Sequence, residues 1–236
     1  MNIVILGVSG MLGSTLFRYL SLKEEYQIYG TARSLSAVEV LPAELKNKVK
    51  FLDCQNPAHF LDLLSLVRAD VVINCIGIIK QLKESENPLD SIKINALFPH
   101  ELAKICKEIG ARLIHFGTDC VFTGSRGGYD EEFLPDARDL YGLTKLLGEV
   151  TGENCLTLRT SIIGHELNSH HSLLDWFMNQ SSEVLGYTHA IFSGLPTFEI
   201  ARVLDQFVLP KKNMQGLYHL SGHPIDKYSL LNKIKR

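Results

Sequence analysis

Tyr141 and Lys145, separated by three residues, are the side chains of this sequence best suited to acid–base chemistry. Residues four apart share one face of a helix, so the lysine ammonium can lie beside the phenol. Its charge favours the phenolate and is expected to lower the pKa of the tyrosine toward neutrality, where it can exchange a proton. Tyr19 and Lys23 have the same spacing, but we expect them at the exposed end of the first helix, without chemistry.

Three glycines, Gly7, Gly10 and Gly13, follow the first apolar run of the chain. Glycines at a strand-to-helix turn let a pyrophosphate approach the helix N-terminus and its unpaired N–H groups. This is the first strand-turn-helix of the chain, which is the context that a dinucleotide site requires. The pattern therefore predicts a dinucleotide site, and the alternative is a tight turn with packing glycines.

Arg33 follows the second predicted strand, where the adenosine ribose of a dinucleotide would lie. An arginine there suits a 2′-phosphate, so NADP(H) is the preferred cofactor and NAD(H) a possible one. A solvated surface arginine is the alternative. Asp53 lies just past the third strand and is suited either to accept from the adenine amino group or to cap the helix that begins at Pro57.

Polar residues also follow the fourth and fifth predicted strands. Asn74 opens the stretch that ends at Gly77, and Thr118 follows the fifth strand. Ligands of open α/β sheets bind beyond the carboxyl ends of the strands, so Thr118 is placed to share a substrate oxygen with Tyr141. The alternative is that the Thr118 hydroxyl bonds the backbone of its own loop. Asn95, in the next helix, is assigned equally to the site or to a local hydrogen bond.

Three histidines, His165, His170 and His171, stand close together in the sequence. The first two are five residues apart, so a helix would not place them on one face. We interpret the segment as a polar loop, and no metal is predicted.

Short apolar runs alternate with helical segments, which indicates an α/β fold with a doubly wound parallel sheet and a predicted strand order of 3-2-1-4-5-6. The predicted strands are Ile3–Leu6, Gln27–Thr31, Val49–Leu52, Val71–Cys75, Arg112–Phe116 and Cys155–Leu158. The predicted helices are Met11–Leu22, Pro57–Arg68, Pro88–Ile109 and Leu140–Thr151.

After about residue 164 the pattern loosens. Readable elements remain at Leu173–Gln180, Phe198–Val208, Gly216–Leu220 and Asp226–Arg236. We predict a dinucleotide-binding domain over residues 1–163 and a small substrate-binding lobe over residues 164–236, interleaved with the first. The last helix lacks a cap residue, so the lobe is expected to be incomplete as given.

Composition limits the function classes. A net charge of −2 over 236 residues, without a dense basic block, argues against a nucleic-acid groove. Five cysteines without Cys-x-x-Cys spacing suit reduced thiols. The apolar run at the N-terminus breaks at Gly7, and no stretch approaches membrane-spanning length, so a cytoplasmic protein is expected. A homodimer is a further possibility.

In combination these motifs resemble the extended short-chain dehydrogenase/reductases, and within them the dTDP-4-dehydrorhamnose reductase family. The matching pieces follow the family's order through nearly the whole chain, which is more specific than any one motif. They are the glycine triplet, Thr118–Phe122, Tyr141-x-x-x-Lys145, Leu158–Ser161, Gly194–Thr197 and Gly216–Ser221.

The resemblance implies a Rossmann fold and an NADP-dependent oxidoreductase whose substrate is a nucleotide-linked 4-keto-6-deoxy-sugar. Thr118, Tyr141 and Lys145 would be the catalytic residues. The cofactor would contact Gly7, Ser9, Gly10, Met11, Leu12, Gly13, Arg33, Asp53, Cys75, Ile76, Gly77, Tyr141 and Lys145. The substrate would contact Lys80, Cys120, Val121, Phe122 and Ile162.

Two positions depart from the family pattern. Cys120 stands where the family commonly has tyrosine, and Ile162 where it has tryptophan. A relative that acts on another sugar of polysaccharide synthesis therefore fits as well as the rhamnose enzyme. An epimerase or dehydratase of sugar nucleotides shares the fold and competes with the reductase, as does a non-catalytic, dinucleotide-binding regulatory subunit.

Overall fold

The computed structural model describes residues 1–54, 56–80, 86–168 and 172–235. Within these ranges the strands are β1 Asn2–Leu6, β2 Gln27–Ala32, β3 Val49–Phe51, β4 Val71–Asn74, β5 Arg112–Phe116, β6 Cys155–Arg159, β7 Ile162–Ile163, β8 Ile191–Phe192, β9 Leu195–Pro196, β10 Gly216–His219 and β11 Ile225–Asp226. The α-helices are α1 Met11–Leu20, α2 Ala43–Lys46, α3 Ala58–Leu66, α4 Pro88–Ser91, α5 Phe98–Ile109, α6 Leu140–Leu147, α7 Leu173–Met178, α8 Thr197–Val203 and α9 Lys227–Lys235.

Seven of these strands form one parallel sheet in the order β10-β6-β5-β4-β1-β2-β3. Read from β3, the first six positions give the order 3-2-1-4-5-6, which confirms the predicted doubly wound fold. The strand predicted near Gly216 is present as β10, and it pairs with β6 in this sheet. The proposed division at residue 164 stays a prediction.

Both faces of the sheet are covered, as the continuous apolar strands indicate. Along β1, Ile3 and Ile5 pack into the core on one face, together with α1 and α8. Val4 and Leu6 point to the other face and pack with α3 and α5. These four side chains have no exposed surface.

The remaining short strands form two small ladders near the C-terminal part of the chain. Strand β7 pairs with β9 in parallel, and β8 pairs with β11 in antiparallel orientation. Helix α8 packs on α1, where Thr15 donates a 3.1 Å hydrogen bond to the hydroxyl of Thr197. This segment is therefore anchored beside the glycine-rich turn.

The long helix predicted from Pro88 to Ile109 is continuous, but its middle, Ile92–Leu97, is a π-helical turn. It ends at Gly110, whose φ of 72° is the left-handed conformation typical of a helix C-terminus. The π turn buries Asn95. Such turns often occur at functional sites.

Helix α6 ends at Leu147, four residues before the predicted end at Thr151. A side chain on Gly148 would collide with the carbonyl oxygen of Asn95, so the helix lies directly on the π turn. The chain then leaves the helix, and Val150 exchanges two hydrogen bonds with the Thr157 hydroxyl.

Two further sequence expectations concern the whole chain. All five cysteines are free thiols, as their number and spacing predict. Within the described ranges, no helix combines the length and apolar character needed to cross a membrane.

Tyr19 and Lys23 are partly buried and have a structural role, so the expectation that they lie idle at an exposed helix end is wrong. Lys23 Nζ lies 2.8 Å from the buried carboxylate of Asp205. The hydroxyls of Tyr19 and Tyr26 donate to the same carboxylate at 3.3 and 3.1 Å. Asp205 belongs to the π-helical continuation of α8, so these bonds tie that helix to the first strand–helix unit.

We expect Asp205→Ala to lower the free energy of unfolding by about 2 kcal/mol, because two partly buried tyrosine hydroxyls lose a charged acceptor. Urea denaturation followed by circular dichroism measures this. Glu199→Ala is the matched control, since it removes a partly exposed carboxylate paired with Arg202 on the same helix. If Asp205→Ala lowered the free energy of unfolding no more than Glu199→Ala does, the structural role of Asp205 would be contradicted.

Candidate functional site

The β1–α1 turn has the shape that a phosphate site needs. Gly7 adopts a φ of +80°, and a side chain on Gly13 would collide with the Gly7 carbonyl. Gly10 is the N-cap of α1, and within the described residues no side chain caps this helix. A Cβ on Gly10 would meet only the Gly7 carbonyl oxygen, at 3.5 Å. The turn is therefore compact and leaves the N-terminus of α1 accessible to an anion.

The other residues predicted in this turn differ in exposure. Ser9 and Met11 are partly buried. Leu12 is buried in the core, so only its backbone can contribute to a site.

Arg33 and Asp53 follow neighbouring strands. The last residues of β2 and β3 are in register, and Leu52 N donates to Ala32 O at 3.0 Å. Both Arg33 and Asp53 are exposed. The amides of Gly7 and Val8 donate to Thr31 O at 3.0 and 2.9 Å, which places the glycine turn beside the end of β2.

The segment after β4 connects the glycine turn to Lys145. A Cβ on Gly7 would lie 3.1 Å from Ile76 Cγ1, so the two turns are in contact. A Cβ on Gly77 would lie 3.9 Å from Lys145 Nζ. Burial raises the pKa of the Cys75 thiol far above its usual range. The nearby charge of Lys145 acts on this pKa in the opposite direction.

Asn95 makes a local hydrogen-bonded clamp on this segment, one of the two assignments made from the sequence. Its side-chain oxygen accepts from Ile78 N at 2.9 Å, and its side-chain nitrogen donates to Ile78 O at 3.0 Å. The π turn thus fixes the loop that lies next to Lys145.

Thr118 and Tyr141 meet at the carboxyl end of β5. Thr118 is buried and caps a short 3-10 turn, accepting from Cys120 N at 3.1 Å. Its hydroxyl lies near enough to the Tyr141 phenol to act on the pKa of that group. A Cβ on Gly142 would lie 2.6 Å from Cys120 O, so the start of α6 is pressed onto this turn. The loop-binding role weighed for the Thr118 hydroxyl is therefore observed, and its role toward a substrate oxygen stays a prediction.

Lys145 is buried one turn further along α6, as the spacing predicts. Its ammonium donates to Phe116 O at 2.8 Å. Burial lowers the pKa of Lys145 to about 8, against the opposing influence of Glu149 and Cys75. The lysine is therefore a charged group that neutralises at mildly alkaline pH.

The expected lowering of the tyrosine pKa is wrong for this structure. Burial, followed by the influence of Cys120, raises the pKa of Tyr141 to about 12, and the opposing influence of the nearby Thr118 hydroxyl offsets this only in part. The ammonium of Lys145 points to a backbone carbonyl, which explains why its charge does not dominate. Tyr141 consequently carries its proton at neutral pH, which is the state that a proton donor requires.

The residues assigned to substrate differ in accessibility. Lys80 is exposed, with its ammonium 3.5 Å from Asp139. Cys120 and Ile162 are partly buried. Val121 is fully buried, so only its backbone is available, and its carbonyl accepts from the amides of residues 136 and 137.

Phe122, also assigned to substrate, is packed among other side chains. Its ring stacks on Tyr129 at 4.3 Å between centroids and lies edge-on to His219 at 5.8 Å. The guanidinium of Arg159 lies 5.2 Å from the Phe122 ring centroid and forms a bidentate pair with Glu149. Phe122 is thus held by these neighbours, and its contact with a substrate stays a prediction.

Two carboxylates of the site were not singled out from the sequence. Asp139 is the N-cap of α6 and accepts from Gly142 N at 3.0 Å. An aspartate directly before a helix is a capping signal that would have identified it. Asp119 accepts a 2.6 Å bond from Ser161, a contact between two strand ends that no local pattern indicates.

Of the histidine cluster, the structure describes His165, while His170 and His171 lie outside the described residues. His165 Nδ1 lies 2.6 Å from Asp175. Among the described residues, no group of three or more His, Cys, Asp or Glu side chains is arranged to hold a metal ion. The absence of a metal stays a prediction.

Three relatives match most or part of the chain. The dTDP-4-dehydrorhamnose reductase of Salmonella typhimurium is 30% identical over 93% of this chain and 72% of its own length. The methionine adenosyltransferase 2 subunit beta of Xenopus tropicalis is 23% identical over 96% of this chain and 69% of its own. The probable low-salt glycan biosynthesis reductase Agl14 of Haloferax volcanii is 29% identical over 61% of this chain, and the match spans 46% of that relative.

Solved structures share the fold. A hypothetical dTDP-4-dehydrorhamnose reductase from Sulfolobus tokodaii superposes with a TM-score of 0.84 and 27% identity, over 100% of this chain and 81% of that one. The dTDP-4-dehydrorhamnose reductase of Bacillus anthracis, solved in complex with NADP, gives a TM-score of 0.81 at 23% identity, over 99% of this chain and 79% of that one.

The family described as RmlD substrate binding domain matches residues 1–234. The match covers the glycine turn, the Thr118 turn and helix α6, in agreement with the resemblance carried by the sequence motifs. The chain therefore belongs to the RmlD substrate binding domain family.

Proposed function

We propose that this chain is an NADPH-dependent reductase of a nucleotide-linked 4-keto-6-deoxy-sugar that acts in the cytoplasm on precursors of cell-surface polysaccharide. The observation that carries the proposal is the proximity of the Thr118 hydroxyl to the Tyr141 phenol, one helical turn from the buried ammonium of Lys145. The Salmonella relative, which is named as such a reductase, supports it.

The described residues fit a dinucleotide cofactor. The open N-terminus of α1 suits the pyrophosphate, and the exposed guanidinium of Arg33 suits a 2′-phosphate. The loop at Gly77 and the Lys145 ammonium would hold the nicotinamide end. When bound, NADPH supplies the hydride for the sugar C4 carbon.

The chain itself supplies the proton and the position of the carbonyl. Thr118 and Tyr141 are placed to hold the C4 carbonyl oxygen between two hydroxyls. As the carbonyl carbon is reduced, Tyr141 gives its phenolic proton to the forming alkoxide, whose basicity exceeds that of a phenolate. Lys145 stabilises the tyrosinate that remains, which then recovers a proton from solvent.

A non-catalytic regulatory subunit is the second candidate, since the Xenopus relative is named as a subunit of another enzyme and aligns with nearly the whole chain. The chain keeps all three side chains assigned to catalysis, Thr118, Tyr141 and Lys145, which favours the reductase. A dehydratase is less suited because Cys120 stands where dehydratases place an acid, and Arg33 argues against the tightly held NAD of an epimerase. The homodimer stays a prediction.

The role of Tyr141 is tested with Tyr141→Phe. Loss of the proton donor is expected to lower kcat by about 100-fold to 10,000-fold, while NADPH binding is largely kept. Turnover of a panel of nucleotide-linked 4-keto-sugars, with fluorescence titration of NADPH, measures both. Tyr19→Phe, the same change in the other Tyr-x-x-x-Lys pair, should leave kcat unaltered, and full activity in Tyr141→Phe would exclude the mechanism.

The role of Arg33 is tested with Arg33→Ala. Removing the partner of the 2′-phosphate is expected to weaken NADPH binding by about tenfold and leave NADH binding unchanged. Arg18→Ala removes an exposed arginine from α1 and serves as the control. An unchanged ratio of the two dissociation constants in Arg33→Ala would overturn the cofactor assignment.

The pKa of Lys145 predicts a pH limit on activity. The ammonium is present below about pH 8 and is lost above it. Since Tyr141 stays protonated to about pH 12, kcat/KM should fall about tenfold per pH unit above 8 through Lys145 alone. A steady-state pH profile measures this limb, and a flat profile to pH 10 would show that the charge is not needed.

A further inference from the structure

A row of buried polar residues crosses the sheet beneath α6. Asn74, His115 and Thr157 occupy facing positions on β4, β5 and β6. Each is at most 1% exposed. Buried polar side chains are costly unless they are hydrogen-bonded, so the partners of this row indicate its purpose.

Two of the three residues hold the loops that leave the sheet edge. Thr157 bonds both backbone groups of Val150, in the segment after α6. Asn74 Oδ1 accepts from Ile76 N at 3.0 Å, which fixes the loop between the glycine turn and Lys145. The middle residue, His115, bonds Asn74 through Nδ1 at 3.1 Å.

The direction of the bond between Asn74 and His115 follows from the bond that the Asn74 side-chain oxygen makes with Ile76. Because Asn74 Oδ1 is already an acceptor, its amide nitrogen must donate, and His115 Nδ1 must accept. The ring can do so only while Nδ1 is unprotonated. Burial and the neighbouring Lys145 lower the pKa of His115 well below its usual value, which keeps the ring neutral.

The neutral ring then carries its hydrogen on Nε2. This buried atom has no partner among the described residues. A side chain that serves packing alone needs no buried N–H group without a partner. A neutral histidine ring that accepts through Nδ1 always carries an N–H group at Nε2.

We propose that His115 is a positioning residue, which through Asn74 and Ile76 holds the loop of Cys75 and Gly77 at its distance from Lys145. The inference rests on the proposed function, since this loop and the lysine are the groups assigned to the nicotinamide end of the cofactor. His115 itself touches neither substrate nor cofactor in this scheme.

The test compares two substitutions at one site. His115→Leu keeps the approximate volume and removes the acceptor. His115→Asn keeps an acceptor oxygen near the position of Nδ1. We expect His115→Leu to raise the dissociation constant of NADPH by about fivefold and to lower kcat by about tenfold or more. His115→Asn should restore both to within about threefold of the unsubstituted protein.

Thr157→Val is the matched control, because it removes a buried polar group from the same row but acts on Val150. It should reduce the melting temperature without changing kcat or NADPH affinity. Amide hydrogen exchange at Ile76 should accelerate in His115→Leu and not in Thr157→Val. Asn74→Ala, which breaks the same chain of bonds from the other side, should reproduce the His115→Leu effects and replaces it if that variant does not fold.

The outcomes separate the two claims. If the unsubstituted protein binds NADPH but reduces no 4-keto-sugar, the proposed function fails, while NADPH affinity and Ile76 exchange still test His115. Equal effects of His115→Leu and His115→Asn, or unchanged Ile76 exchange in His115→Leu, would reduce His115 to a packing residue and overturn the inference.

Discussion

The burial of one ammonium group, that of Lys145, is the constraint on which the site depends. A charge in the protein interior is tolerated only with a close polar partner, and here that partner is the backbone carbonyl at the end of β5. Helix α6 must therefore lie close to the sheet. Two glycines, Gly142 and Gly148, permit this, because each occupies a position where a side chain would collide with a neighbouring carbonyl. Tyr141 reaches Thr118 because the same helix is held at both ends.

The π turn has a matching role at the C-terminal end of α6. Its Asn95 uses the side chain to clamp the loop at Ile78 and the backbone carbonyl to contact Gly148. One residue thus sets the spacing between two elements that carry site residues. A regular α-helix would change the direction of this side chain, which explains the local departure from α-helical geometry.

Much of this arrangement could be predicted from the sequence, because it depends on local patterns. The glycine turn, the strand order and the pairing of Tyr141 with Lys145 on one helix follow from spacing and periodicity. The raised pKa of Tyr141 could not be predicted, since spacing shows that two groups share a face but not how deeply they are buried or where the ammonium points. The role of Tyr19 was missed for a similar reason, because its partner Asp205 is 186 residues away. The position of β10 also depends on a distant strand, which no local pattern identifies.

The placement of β10 beside β6 has a consequence for how such proteins can diversify. It makes everything between these two strands a single crossover connection, with α8 as the helix that covers the sheet. The short ladders and Ile162 are carried on this connection, outside the ladder of the seven-stranded sheet. Insertions or deletions in the loops of the short ladders leave the strand order and α6 untouched, whereas α8 stays packed on α1. The short ladders and the segment around Ile162 can therefore vary in length while the sheet that carries Thr118 and α6 keeps its architecture.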